Sequence, residues 1–223
     1  MDEIKINKIV RSRRKTVALI VTPEATLTVR APLQTSLAYL QDIVRARSGW
    51  IRQKLREVSS RPRPPAKTYV DGEEFLYLGK AYKLRILPEA ARNIELKDNL
   101  YMAAKVLPIA RRIILRWYKA EALRIITARC AFYQSIAPQA PTAIKISNAR
   151  KRWGSCSAKG TLNFCWRLIM APVEIIDYLV VHELVHIAHL NHSRQYWQKV
   201  ASIMPDYRRR EKWLRENGGL LAI

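Results

Sequence analysis

The sequence predicts an α+β protein, and three observations predict it. Strand-forming segments gather in the first half, over 15–30 and 74–102. Helix-length segments with an apolar face run over 36–58, 107–136 and 173–217. A stretch of period-two alternation, 161–168, lies just before the most apolar of those helices.

In chain order, a basic cluster (RSRRK, 11–15) precedes the first strand signal. Lys15–Val21 and Ala25–Arg30, rich in Val, Thr, Leu and Ile, read as a hairpin turning at Thr22-Pro23-Glu24. Ser36–Val58 carries a rough helical stripe of Leu37, Leu40, Val44, Trp50, Ile51 and Leu55, with Gly49 as its weak point. The prolines of SSRPRPPA (59–66) cannot continue a helix and mark a linker. Strand signals follow at Glu74–Leu78, Tyr82–Leu87 and Ile94–Met102, with turns at Gly79-Lys80 and Asp98-Asn99.

Leu107–Ile136 reads as a long helix with Ile113, Trp117, Ala120 and Leu123–Ile126 toward a core and Arg112, Arg116 and Lys119 on a solvated face. Ala143–Ile146 and Thr161–Leu168 are strands flanking a loop over Asn148–Gly160. In the second strand Leu162, Phe164, Trp166 and Leu168 share the buried face, leaving Thr161, Asn163, Cys165 and Arg167 on the accessible one. Pro172 suits the first position of a helix. Helices then run over Val173–Leu190, Ser193–Met204 and Tyr207–Asn217. The expected organisation is a strand-rich lobe, 1–107, and a catalytic domain, 108–223.

The 223 residues hold 40 Lys+Arg against 18 Asp+Glu, a net charge of +22. With 49% hydrophobic and 26% charged residues, wholesale disorder and low-complexity classes are excluded. So basic a surface attracts polyanions, and nucleic-acid association is one expectation from it. Cys130, Cys156 and Cys165 are odd in number and widely spaced, which is no disulfide framework. Met1–Lys5 has no apolar secretory stretch, and no run is long enough to span a membrane. The expectation is a cytoplasmic protein without a membrane partner.

All four histidines fall within eleven residues, at 182, 186, 189 and 192. His182-Glu183-Leu184-Val185-His186 is an HExxH segment inside a predicted helix. Residues i and i+4 share a helix face, so two neutral imidazoles can converge on one Zn²⁺ with nitrogens about 2.0–2.1 Å away. Glu183, next to the first ligand, can reach a metal-bound water without occupying the metal. His192 is the expected third ligand, provided the helix ends near Leu190-Asn191, where Asn191 tolerates a left-handed turn. His189 lies about 10 Å along a continuous helix from His182, too far to share the ion, and reads as a supporting residue. Cys156 reads as a loop residue. Arg152 and Trp153 either bind substrate or fix their loop. Tyr207 either donates to a transition-state oxyanion or packs the last helix. Asp177 and Tyr178 precede His182 by about one turn and are placed to support it.

Arg152-Trp153-Gly154-Ser155-Cys156, Trp166-Arg167-Leu168, HELVH, Asn191-His192-Ser193 and Trp197 together resemble the YgjP-like zincin family. The HExxH-x5-H pattern is also similar to the WLM/Wss and SprT-like proteases that act on DNA-bound proteins. The resemblance is strongest over 143–217 and extends loosely to the N-terminal hairpin and the Trp50-Ile51 helix. It implies a zincin-like metallohydrolase with zinc on His182, His186 and His192 and Glu183 as general base. It also implies that the strand around Thr161–Leu168 lies beside the active-site helix, its edge free to take an extended peptide. Arg152, Trp153, Asn163, Arg167 and Tyr207 are then the candidate substrate contacts.

Three functions compete at this point. The first is a zinc metallopeptidase acting on a peptide or protein. The second is a metal-dependent nucleoside triphosphate pyrophosphohydrolase, for which Arg150, Lys151 and Arg152 supply cations. The third is a basic nucleic-acid-binding protein with a structural metal. Manganese or nickel is an alternative to zinc in a three-His site.

Overall fold

The computed structural model describes residues 4–22, 24–60 and 65–223, so Pro23 of the expected hairpin turn and residues 61–64 of the expected linker lie outside the described residues. The fold is α+β, with ten strands in three small sheets and six α-helices among those residues. The chain divides into two units, Met1–Arg63 and Pro64–Ile223.

In the first unit β2 (Ala18–Val21) and β3 (Leu27–Pro32) form the expected hairpin. A strand absent from the sequence reading, β1 (Lys8–Ser12), pairs in parallel with β3. Its short Ile-Val centre is flanked by cations, and its partner lies about twenty residues away, so no local periodicity announces it. The expected single helix is two, α1 (Leu37–Ala46) and α2 (Ser48–Ser59), parting at Arg47 (φ −104°, ψ 14°) rather than at Gly49. Ser36 caps α1 by accepting from the Tyr39 amide at 3.2 Å. Leu27, Val29, Ala31, Leu40, Val44 and Ile51 form this unit's own core.

The second unit begins with β4 (Glu74–Tyr77) and β5 (Lys80–Leu87), followed by β6 (Ile94–Leu96) and β7 (Leu100–Ala103), in the order β4-β5-β7-β6. These strands share one core with the helices that follow, through Phe75, Leu84, Leu100 and Met102. The sequence reading grouped them with the N-terminal lobe; in the structure the division falls at 63/64, inside the proline-rich segment. The tight turn between β4 and β5 uses positive φ at Leu78 (48°) and Gly79 (79°), matching the twist of a two-residue hairpin. Its tip docks where the helix carrying HExxH begins. The amides of Leu78 and Gly79 donate to the carbonyls of Ile169 (2.8 Å) and Met170 (3.1 Å). A Cβ at Gly79 would lie 2.9 Å from Pro172 Cα, so only glycine permits the approach.

A 3-10 turn over Ala104–Ile109 leads into α3 (Ala110–Phe132). Its buried stripe is Ala110, Ile114, Tyr118, Ala122, Ile126 and Cys130. Of the residues expected toward the core, Ile126 is fully buried and Ile113, Trp117 and Ile125 pack against the core, whereas Ala120 and Arg124 are exposed and Leu123 is 45% exposed. Arg112, Arg116 and Lys119 face solvent as expected. Tyr118 donates to the Leu76 carbonyl (2.7 Å) and Tyr77 to Glu121 (2.6 Å), tying β4 to α3.

The third sheet holds β8 (Ala143–Ser147), β9 (Gly154–Cys156) and β10 (Thr161–Cys165), ordered β8-β10-β9. β10 is therefore central, parallel to β8 and antiparallel to β9. The free edge facing the helix that carries HExxH belongs to β9, from the segment read as loop, and not to the 161–168 strand. That strand ends at Cys165, and Trp166–Met170 turn as a 3-10 helix.

Three helices complete the unit: α4 (Val173–Val185), α5 (Arg194–Ile203) and α6 (Tyr207–Asn217). Pro172 stands just outside α4, one position earlier than expected. No helix among the described residues is long and apolar enough to cross a membrane. Cys130, Cys156 and Cys165 are all free thiols.

Candidate metal centre

The centre is built on α4, the most completely buried helix of the unit. Of its thirteen residues only Val173, Glu174 and His182 escape full burial. A helix without a solvent face cannot leave a polar side chain unpartnered without cost. Asp177 meets this condition through Arg129 on α3, whose Nε and NH2 donate to its two carboxylate oxygens at 2.5 and 2.8 Å. Asp177 thus joins two helices rather than supporting a histidine.

The remaining polar groups of α4 gather at its C-terminal end. The helix stops at Val185, five residues earlier than the expected end at Leu190, and the chain turns through 186–188. Asn191 is not left-handed; among described non-glycine residues only Ala25, Tyr69 and Leu78 have positive φ. Reversal is achieved by the early end of α4 and by the start of α5, where Ser193 accepts from the Tyr196 amide. This carries His192 back over His182 and His186.

The Nε2 atoms of His182 and His192 lie 3.1 Å apart, as do those of His186 and His192. Three nitrogens on a tetrahedral ion at about 2.0–2.1 Å stand about 3.4 Å from one another, so the cluster matches a three-His metal site closely. The Nδ1–H of His186 donates to the His189 carbonyl at 2.9 Å, which fixes the tautomer and turns the Nε2 lone pair inward. His189 supports the site through its backbone. Three lone pairs aimed at one point repel unless a cation stands between them. Burial, with His186 and His192 adding to it, pushes His182 down to about 3, so the ring stays neutral and able to ligate.

Tyr196, not singled out in the sequence, and Trp197, which belongs to the quoted motif, hold this geometry. Tyr196, fully buried on α5, donates to the His182 carbonyl at 3.0 Å, and its ring lies 4.5 Å from that of His186. Trp197 stacks on His192 at 5.5 Å, and Tyr207 stacks behind Trp197 at 5.2 Å. The closeness of Tyr196 in sequence to His192 and Trp197 was the available signal.

Glu183 is 3% exposed, and its Oε2 is buried with no partner. Burial pushes its carboxyl up to about 8, opposed by the nearby positive charge of Arg152. Edge strand β9 presses directly on this group. A Cβ at Gly154 would lie 2.2 Å from Glu183 Oε1. The glycine of the Arg152–Cys156 run therefore sets where the carboxylate sits. Burial and, after it, Glu183 hold the Cys156 thiol above its ordinary range, which disfavours a thiolate ligand there.

The structure brings Arg152 and Trp153 to the centre, where both line a cavity with His182 and Glu183. Tyr207 packs on Trp197 and accepts from Arg208 Nε at 3.2 Å. Arg167 lies over the Trp166 ring at 4.5 Å, and Asn163 sits opposite Ser155 with its Oδ1 buried and unpartnered.

A family model described as YgjP-like, metallopeptidase domain, matches residues 15–217. No curated protein matches the chain. Among solved structures, the metallopeptidase zymogen abylysin of Pyrococcus abyssi aligns at 19% identity and a TM-score of 0.36, over 39% of this chain and 89% of that one.

Proposed function

We propose, for a chain that belongs to the YgjP-like metallopeptidase family, that His182, His186 and His192 hold a zinc ion and that Glu183 is the general base of peptide hydrolysis. The convergence of three imidazole nitrogens at 3.1 Å carries this reading, with the unpartnered buried carboxylate beside it. When bound, zinc on three neutral imidazoles supplies Lewis acidity and an acidified water of pKa about 7.

The chain's own residues do the rest. Glu183 takes the water's proton on its carboxylate as the water oxygen bonds to the peptide carbonyl carbon. When the C–N bond breaks, Glu183 returns that proton to the amine nitrogen. Arg152 favours the ionised form of Glu183, which a base requires. The His186–His189 hydrogen bond and the Tyr196 hydroxyl hold the ligands so that little reorganisation is needed. The family match lends no support to phosphoanhydride hydrolysis.

The test is Glu183→Gln. The zinc-loaded variant should keep its metal by elemental analysis while peptide turnover falls by about 10²–10⁴-fold. A metal-replete variant cleaving peptides at the full rate would remove Glu183 from the mechanism.

A further inference from the structure

We infer that the cavity beside Glu183 is a subsite for an acidic residue of the substrate, read by Arg152 and Arg215. This rests on the peptidase reading and adds the substrate's chemistry to it. The cavity, of about 320 Å³, opens next to His182 and Glu183. That is the small end of the range for ligand pockets, about 300–1,000 Å³, and suits one side chain. Tyr178, Leu179 and Leu214 give it an apolar wall for a methylene stem.

The opposite wall is built rather than incidental. Trp153 is seated against the end of α6, where a Cβ at Gly218 would lie 2.8 Å from its Cζ2. Arg152 and Arg215, both exposed, complete the lining with Glu211. The other cations of α6 are engaged: Arg209 and Arg210 with Asp206, Lys212 with Glu216, and Arg208 with the Tyr207 hydroxyl. Arg215 and Arg152 have no carboxylate within 4 Å among the described residues.

Of the two carboxylates in the lining, Glu183 is buried and only Glu211 is exposed, so the exposed rim carries two unpaired guanidinium groups against one carboxylate. Guanidinium groups pair bidentately with carboxylates. An aliphatic wall below such a rim matches Glu or Asp better than a neutral or basic side chain. Arg152 lines the same cavity as His182 and Glu183, which puts the subsite at the reacting end of the centre. The overall charge of +22 concentrates acidic substrates around the molecule.

Binding to chelator-treated wild-type protein, which keeps the Glu183 carboxylate in the lining, tests this without relying on turnover. The probes are a fluorescent alanine-rich peptide with one central Glu and its Gln twin, read by anisotropy. The Glu peptide should bind about tenfold more tightly, as expected for one charge-assisted contact. Adding Arg215→Glu should abolish that preference. Adding Lys212→Glu, the same charge change outside the cavity, should preserve it. Equal binding of the two peptides, no measurable binding of either, or equal loss in both charge variants overturns the proposal. So does a nucleoside triphosphate that binds in an Arg215-dependent way while the peptides do not discriminate. Zinc-loaded wild-type protein that cleaves neither peptide, with the binding preference intact, would count against the peptidase reading and leave the subsite standing. Cleavage without any preference would do the reverse.

Discussion

Two helices of the same core, α3 and α4, make opposite use of burial. α3 spends 23 residues to bury six, spaced four apart, and leaves the rest partly or fully exposed. α4 buries ten of thirteen. On α3 a polar residue off the stripe needs no partner, because water is there. On α4 every polar group must be met inside the protein, so an unmet one stands out. Asp177 is met by Arg129. His182 Nδ1 and Glu183 Oε2 are not met, and they lie where the third histidine closes in. A helix without a solvent face marks its own functional end by what it leaves unsatisfied.

The strongest attack on this contrast is His182→Ala, which should eliminate stable metal retention and, with it, hydrolysis. Elemental analysis after gel filtration checks the first and peptide assay the second. Next comes Gly154→Ala, where the new methyl group must displace the Glu183 carboxylate from 2.2 Å. Activity should fall by about tenfold or more through misplacement of the base, with metal content unchanged. A fully active Gly154→Ala enzyme would show that the carboxylate has freedom the packing denies it.

The comparison sharpens at the contact between the two helices. Arg129→Ala leaves Asp177 buried without its cation and should cost about 3 kcal/mol by chemical denaturation, while sparing metal content. Arg112→Ser, on the solvated face of α3, should stay within about 0.5 kcal/mol.

The smallest effect is one of pH, in chelator-treated protein. Burial raises Glu183 from its ordinary 4.5 to about 8, so the folded chain keeps a proton that the unfolded chain releases. That stability is complete below about 4.5 and is lost as pH rises through 8. His182, lowered from 6.5 to about 3, works on the acid side, its contribution present above 6.5 and lost as pH falls toward 3. Between pH 6.5 and 8 Glu183 dominates this pair, so the melting temperature of metal-free wild type should decline there. Glu183→Gln should flatten the decline.

Much of the site was legible because its first part is local. His182, Glu183 and His186 sit within one turn and a quarter of helix, and helix geometry alone puts the two rings on one face. The β2–β3 and β4–β5 hairpins were legible for the same reason, since turn residues and alternation lie within a few positions. β1 was not, because it pairs with a distant strand and has only a short apolar centre. The burial stripe of α3 was legible in part, through Ile113, Trp117 and Ile126, but not at Tyr118, Ala122 and Cys130, because its i+4 steps are set by what packs against it, not by hydrophobicity alone. The edge beside the catalytic helix was assigned to the wrong strand, since strand order depends on pairing that no local pattern encodes.

By itself the sequence determined a buried helix carrying HExxH, the residue types of a three-His centre and a strongly cationic chain, all consequences of composition and of a 3.6-residue period. Only the tertiary structure decided that α4 ends at Val185, that His192 returns over the helix, that Gly154 presses on Glu183 and that Arg215 arrives beside Arg152. Each of these joins chain segments through close packing, and contact distances of that kind depend on the whole core and on no stretch of sequence alone.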